Sequence, residues 1–256
     1  MPQLFDHHLR ALRRDRAVRA GLETFLYDRA FDDCMDRLAD VRGSFSDILL
    51  AGCPNPDWPK RFGAAQVSVI DPGPLMAAQA HGQYADLERL PFEIERFDLV
   101  VTIGLLDTAN ELPLAAAALN FVLKPGGMLL GAVAGGHSLP RLRRAMLAAD
   151  AVTGQATAHV HPRIDAPSLA QLLTAAGFVE PVVDVDRVEL AYGSLGALVR
   201  DLRGMGMTNI LTTRSQRPLS RASLEAARAA FLEDADRAVE QIEILHFAAW
   251  KAGPGT

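Results

Sequence analysis

An α/β fold, a doubly wound sheet of mostly parallel strands with helices on both faces, is the architecture expected of this chain of 256 residues. Three observations lead there. Short apolar runs alternate with runs of helical period along most of the chain. One of them, FDLVVTI at 97–103, is apolar at almost every position, as a strand buried on both faces must be. KPGG at 124–127 stands between a helical and an extended pattern, where proline and glycine stop a helix.

The elements follow in order. Residues 22–41 place Leu22, Phe25, Leu26, Ala30, Phe31 and Leu38 near helical spacing. Strands are expected at 46–51 and 66–70, with a helix over 74–80 after the second. The strand at 97–103 precedes an alanine-rich helix over 111–123, and GMLLGAV at 127–133 is the next strand. Helices over 139–152 and 166–178 come next, the latter closed by Gly177 as a C-cap. Residues 182–190 alternate, which suits a half-exposed edge strand. Helical material fills 193–238, and IEILHFAAW at 242–250 returns as a strand. The expectation is one domain over 1–256, with N-terminal helices in 1–41 and a helical cap inserted at 193–238, covering the mouth of a ligand cleft.

Composition narrows the function. The chain is 49% hydrophobic and 22% charged, with a net charge of -5. That balance argues against nucleic acid as a partner, since phosphate binding needs a positive excess. Cys34 and Cys53 are isolated, without zinc or disulfide spacing, so a reducing, cytoplasmic setting is expected. No apolar run reaches the length of a transmembrane helix. Five arginines at 10–19 are interrupted by Asp15, which predicts a surface helix with a basic face rather than a targeting segment.

In an open α/β sheet, ligands bind beyond the carboxyl ends of the strands. That rule selects the loop GCPNP at 52–56, Asp71, Asp86 within ADLERLPF, and the loop GLLDTANEL at 104–112. An acid at 71 can bind both hydroxyls of a ribose, and one at 86 can accept from an exocyclic amine. Elsewhere, His159 and His161 bracket Val160 with no third ligand for a metal. Ser138 lacks the glycine pattern of a nucleophile elbow. Met205 and Met207 read as core filler.

The stretch ADLERLPF…ERFDLVVTIGLLDTANELPLAAAALNFVLKPGGMLLGAV resembles the core of the class I S-adenosylmethionine-dependent methyltransferases. LFDHHLRALRRDRA near the start, VVDVDRVELAYGSLGALVRDLRGMGMTNIL and the late IEILHFAAW resemble one branch of it. That branch holds a methyltransferase-like assembly factor of respiratory complex I and its bacterial relatives, and lies near the malonyl-carrier-protein methyltransferases of biotin synthesis. The resemblance implies a seven-stranded, Rossmann-like sheet ending in a hairpin of 182–190 and 242–250. It implies S-adenosylmethionine over Gly52, Asp71, Asp86 and Leu87, and a substrate pocket using the cap residues Arg200, Asp201, Arg203 and Asn209, which Asp107 would join on the strength of its own charge. The acceptor would be a protein, such as a respiratory-complex subunit, or a small carboxylated molecule. A mitochondrial member of the branch hydroxylates an arginine, so chemistry other than methyl transfer is also implied, as is a non-catalytic assembly or scaffolding role.

The chain departs from the family at its first loop. The family pattern reads acid, apolar, Gly, Cys, Gly, any, Gly, whereas this chain has Leu50, Ala51, Gly52, Cys53, Pro54, Asn55 and Pro56. Proline fixes φ and removes a donor where glycine allows close approach. Two or three lost hydrogen bonds to a charged group, each about 1.5–3 kcal/mol, turn micromolar affinity into millimolar. Trp58 stands just beyond and can fold into the space. A second departure puts Asp107 and Thr108 where the branch has an aromatic or His pair. Asp107 would attract a guanidinium or serve as an exposed N-cap for a helix from about Asn110. For Arg200, Asp201 and Arg203, a local charge pair on a helix is the alternative to a substrate role.

Overall fold

Residues 3–233 and 235–253 are described by a computed structural model; position 234 of the expected cap and the extreme ends of the chain lie outside them. The strands are β1 (Asp47–Ala51), β2 (Gln66–Asp71), β3 (Gln83–Tyr84), β4 (Phe97–Ile103), β5 (Leu123–Ala134), β6 (Phe178–Tyr192) and β7 (Ala238–Lys251). They form a sheet of order β3-β2-β1-β4-β5-β7-β6. β1 runs parallel to β2 and to β4, and β2–β3 and β4–β5 are also parallel. β7 runs antiparallel to its neighbour β5. From β1 the chain winds outward through β2 and β3, then returns to β4 on the other side. The reversal between β1 and β4 is where such a sheet opens a ligand crevice.

The apolar runs became the buried strands for the reason their composition suggested. Leu50 of β1 sits opposite Val69 of β2 and Val101 of β4, and its side chain is wholly buried. β6 alternates along its length and forms the sheet's edge. Helix α4 (Leu112–Val122) stops ahead of KPGG as expected. KPGG itself lies within β5, as an irregularity where the pairing with β4 shifts register between Leu123 and Met128, with Gly126 at φ +76. Two N-terminal helices form as expected: α1 (His7–Ala20) carries the arginines and ends at Gly21, at φ +89, and α2 (Phe25–Asp40) is the helix expected over 22–41, begun three residues later.

The chain divides into two compact units. Residues 24–134, 164–186 and 244–256 form the sheet-bearing unit, with α2, α3 (Pro74–Gln79), α4 and α6 (Ala166–Ala175). Its core includes Leu49, Ile70, Val100, Leu119, Leu129 and Phe247, all essentially inaccessible to solvent.

Residues 1–23, 135–163 and 187–243 form the helical unit, with α1, α5 (Pro140–Thr153), α7 (Leu195–Gly204) and α8 (Arg221–Leu232). The expected cap therefore consists of two helices and the 205–220 connection, and it shares its unit with α1 and α5. The amide of Asp6 donates to Ile210 O at 2.8 Å and that of Thr212 to Leu4 O at 3.0 Å, so the N-terminal segment is strapped to the connection. Helix α1 corrects the expectation of a solvated basic face. Arg10 and Arg14 are buried while Leu12 is exposed. Their i, i+4 spacing puts both guanidinium stems on one face, and that face turns inward with Asp15 and Ala17.

Candidate functional site

The sheet-bearing unit gathers five of the expected site residues at the carboxyl edge of its parallel strands. Gly52 follows β1, Asp71 ends β2, Asp86 and Leu87 come just after β3, and Asp107 lies in a 3-10 turn, Leu106–Thr108, after β4. Strand order and direction alone bring these positions to one edge.

Gly52 is glycine for two reasons visible in the backbone. Its φ is +83, a region side chains rarely adopt, and a Cβ would stand 2.4 Å from Ile103 O. Its amide donates to Ile70 O at 2.9 Å, tying the start of the loop to the end of β2. Gly52→Ala is expected to cost about 2 kcal/mol or more, from backbone strain and the clash together. A denaturant titration measures it, and a midpoint equal to that of the unsubstituted protein would refute the steric reading.

Asp71 is fully buried. Its Oδ1 accepts from the amide of Gly73 at 2.8 Å, which fixes the turn into α3. Asp86 is half-buried, and Leu87 is buried in the core. The side chain of Leu87 therefore faces other apolar groups, leaving its backbone as the part suited to ligand contact. Asp107 is buried, not an exposed cap, and the residue at the N-cap of α4 is Glu111. The N-cap reading of Asp107 is therefore overturned: the helix starts after Glu111, one turn beyond the acid.

The proline loop is shaped by contacts the sequence did not disclose. Asp28 of α2 accepts through Oδ1 from Asn55 Nδ2 at 2.9 Å and from Trp58 Nε1 at 2.7 Å. The indole stacks on Phe31 of the same helix, with centroids 4.3 Å apart and planes 6° from parallel. Asn55 Oδ1 accepts from the amide of Asp57 at 3.0 Å, and its carbonyl accepts from Cys53 Sγ at 3.2 Å. Trp58 does fold inward, and it is almost wholly buried. The loop is thus held to α2 by one carboxylate and one aromatic stack.

The remaining expected residues lie in the helical unit. Arg200 is exposed. Asp201 engages Tyr192, whose hydroxyl is pushed well above its ordinary pKa by burial first and then by that hydrogen bond. Arg203 and Asn209 line one cavity of about 810 Å³. Asn209 also braces the connection, donating to Ala158 O at 2.7 Å and accepting from the amide of Leu211 at 2.9 Å.

The two histidines have separate duties. His159 Nε2 lies 2.9 Å from Asp150 Oδ1. His161 Nε2 accepts from the amide of Ile210 at 3.0 Å, and burial, with Arg163 and Arg143 nearby, lowers its pKa to about 4. It is neutral at physiological pH. Ser138 is a buried clasp: its Oγ donates to Glu243 O and accepts from the amide of the same residue.

Residues 51–131 match a family model described as a methyltransferase domain. The chain is 30% identical over 244 residues to the arginine-hydroxylase NDUFAF5, mitochondrial, of Homo sapiens, covering 90% of this chain and 70% of that protein. It is 36% identical to the Mus musculus protein of the same name over 65% of this chain, and there it spans only 50% of the relative's length. It is 32% identical to the malonyl-[acyl-carrier protein] O-methyltransferase of Xylella fastidiosa (strain M23), covering 75% of this chain and 67% of that enzyme. Among solved structures, the YcgJ protein of Bacillus subtilis superposes with a TM-score of 0.57 at 12% identity, covering 86% of this chain and 97% of that one, a likeness of fold alone. With the strand order and the residues at its carboxyl edge, these relatives show that the chain belongs to the class I S-adenosylmethionine-dependent methyltransferase-like family.

Proposed function

We propose that this chain is a methyltransferase-like enzyme that holds S-adenosylmethionine weakly, by its adenosine half, and acts on a protein or a small carboxylated acceptor. The observation that carries the reading is the placement of Gly52, Asp71 and Asp86 at the ends of β1, β2 and β3. The two acids suit a ribose diol and an adenine amine. The aminoacyl half fits poorly. Leu50 stands where the family has an acid, and Pro54 and Pro56 offer no amide donors. When bound, the cofactor supplies an electrophilic methyl group, and the chain's own part is to orient an acceptor and keep water away.

Two other readings rest on specific features. The anchoring of Asn55 and Trp58 on Asp28 favours a pseudoenzyme, in which the fold is kept as an assembly factor or scaffold for a respiratory-complex subunit. The arginine-hydroxylase relatives, with the buried carboxylate of Asp107 as a group complementary to a guanidinium, favour hydroxylation of an arginine. The buried thiols of Cys34 and Cys53 sit well with a cytoplasmic setting.

Calorimetric titration with S-adenosylmethionine and S-adenosylhomocysteine decides among them. The expected outcome is binding in the millimolar range, strengthened roughly tenfold or more by Pro54→Gly with Pro56→Gly, since about 1.4 kcal/mol is a factor of ten. Micromolar binding by the unsubstituted chain would overturn the weak-site reading. No binding by either protein would leave the scaffold.

A further inference from the structure

The helical unit holds a feature that the cofactor reading does not use. The cavity of about 810 Å³ is lined by Arg13 of α1, Arg203 of α7, and Arg214 and Arg217 of the connection. One acid, Asp150, also lines it, but its carboxylate is taken up by His159 Nε2 at 2.9 Å and by the amide and hydroxyl of Thr157 at 2.9 and 3.2 Å. Arg214 donates to Leu211 O at 2.9 Å and lies 3.7 Å from Asp6. Arg13 Nε is buried with no hydrogen-bond partner among the described residues. Burial, followed by repulsion from Arg16, Arg214 and Arg203, lowers the pKa of Arg13. Positive charge is therefore concentrated here with little to compensate it. Ser220 and Ser223, at the N-terminal turn of α8, complete the wall, and the partial charge of a helix N-terminus has the same sign.

A second cavity of about 350 Å³ adjoins the first and shares Val199, Arg203, Thr208 and Asn209 with it. Most of its other lining is apolar, including Leu142, Met146, Leu202, Met207 and Leu224, and Arg163 and Arg228 add two further cations to its wall. The ring of His161, neutral at physiological pH, also lines it. At the shared wall, Thr208 Oγ1 is buried with no partner among the described residues, a polar atom that a ligand oxygen would satisfy. Each volume falls in the range of about 300–1,000 Å³ typical of small-molecule sites.

We propose that the two cavities form one site for an amphiphilic anion: a phosphate or carboxylate head held by Arg13, Arg203 and Arg214, with its apolar chain along Leu142, Met146 and Met207. Arginine forks match the paired oxygens of either head, and the unbranched, polarisable methionines adapt to a flexible chain. The site lies wholly within the helical unit, so it stands whether or not the other unit binds S-adenosylmethionine.

Calorimetry on the full chain with decyl phosphate, decanoate, inorganic phosphate and malonate tests this. Decyl phosphate or decanoate is expected to bind roughly tenfold or more tighter than the chainless anions, and the stronger of the two identifies the head. Arg13→Gln with Arg203→Gln should weaken binding at least about tenfold. The melting temperature of that variant should be no lower, because it removes crowded cations. Met146→Trp, which fills the slot, should abolish the advantage of the chain and leave inorganic phosphate binding unchanged. Chainless anions binding as tightly as decyl phosphate, or an arginine variant that binds as the unsubstituted protein does, would overturn the proposal.

Discussion

Trp58→Ala is expected to destabilise the sheet-bearing unit by about 3–5 kcal/mol, the range for truncating a buried large aromatic side chain. The indole is almost wholly buried, so its removal leaves a cavity beside Phe31, with which it now stacks. It also removes the 2.7 Å hydrogen bond to Asp28. Asp28 keeps Asn55 Nδ2 and the hydroxyl of Thr24 as donors, so the carboxylate is not stranded, and most of the loss comes from packing. Trp58→Phe is the milder change. It keeps a ring against Phe31 but loses the N–H and part of the indole's volume, and should cost at least about 1.5–3 kcal/mol, the value of a hydrogen bond to a charged group, while staying below the cost of the alanine variant. Chemical denaturation of the three proteins checks both numbers. A loss below about 1 kcal/mol for the alanine variant would mean that the loop is not held by α2.

That loop is held by contacts that local sequence patterns do not carry. Gly52 and Asp71 were legible because each follows an apolar run, and the ends of parallel strands gather at one edge whatever the details of packing. Asp86 follows only the short, exposed strand Gln83–Tyr84 and stood out through its place in ADLERLPF, ahead of the long apolar strand. The fate of GCPNPDWP was only half legible. Two prolines exclude a glycine-type path from local backbone chemistry alone, but the partner that replaces it, Asp28, is 27 residues from Asn55 and 30 from Trp58. No periodicity links those positions. The N-cap alternative for Asp107 fails for a similar reason. Acid followed by Thr and Asn looks like a helix cap, yet the 3-10 turn delays the helix to Leu112.

Helix α1 was misread more deeply. Counting arginines as solvent-facing is sound on average, and it failed because Arg10 and Arg14 are carried inward on a common face. The basic cavity was legible in part. Arg203 and Asn209 stood out through RDLRGMGMTN, but Arg13 and Arg214 join them only once the N-terminal segment is strapped to the connection near Ile210.

Leu50→Asp, the change that restores the family's acid, is expected to cripple the protein rather than to restore its cofactor affinity. Leu50 is completely buried between Val69 and Val101. Losing its burial costs about 2–3 kcal/mol. Placing a carboxylate there adds several kcal/mol unless amide donors meet it. Pro54 and Pro56 offer none, and Gly52 already spends its amide on Ile70 O. The sum, about 4 kcal/mol or more, is a large part of the roughly 5–15 kcal/mol that holds a domain together. The same acid introduced together with Pro54→Gly and Pro56→Gly meets two new donors, so the triple variant should recover about 1–3 kcal/mol relative to Leu50→Asp alone. That coupling is the measurable quantity, read as the non-additivity of a double-mutant cycle with the acid as one change and the glycine pair as the other. Acid and glycines then act as a unit, which would explain why this chain lacks both. Strictly additive losses would show instead that the loop amides never reach position 50, and the absence of the acid would need a cause within the sheet itself.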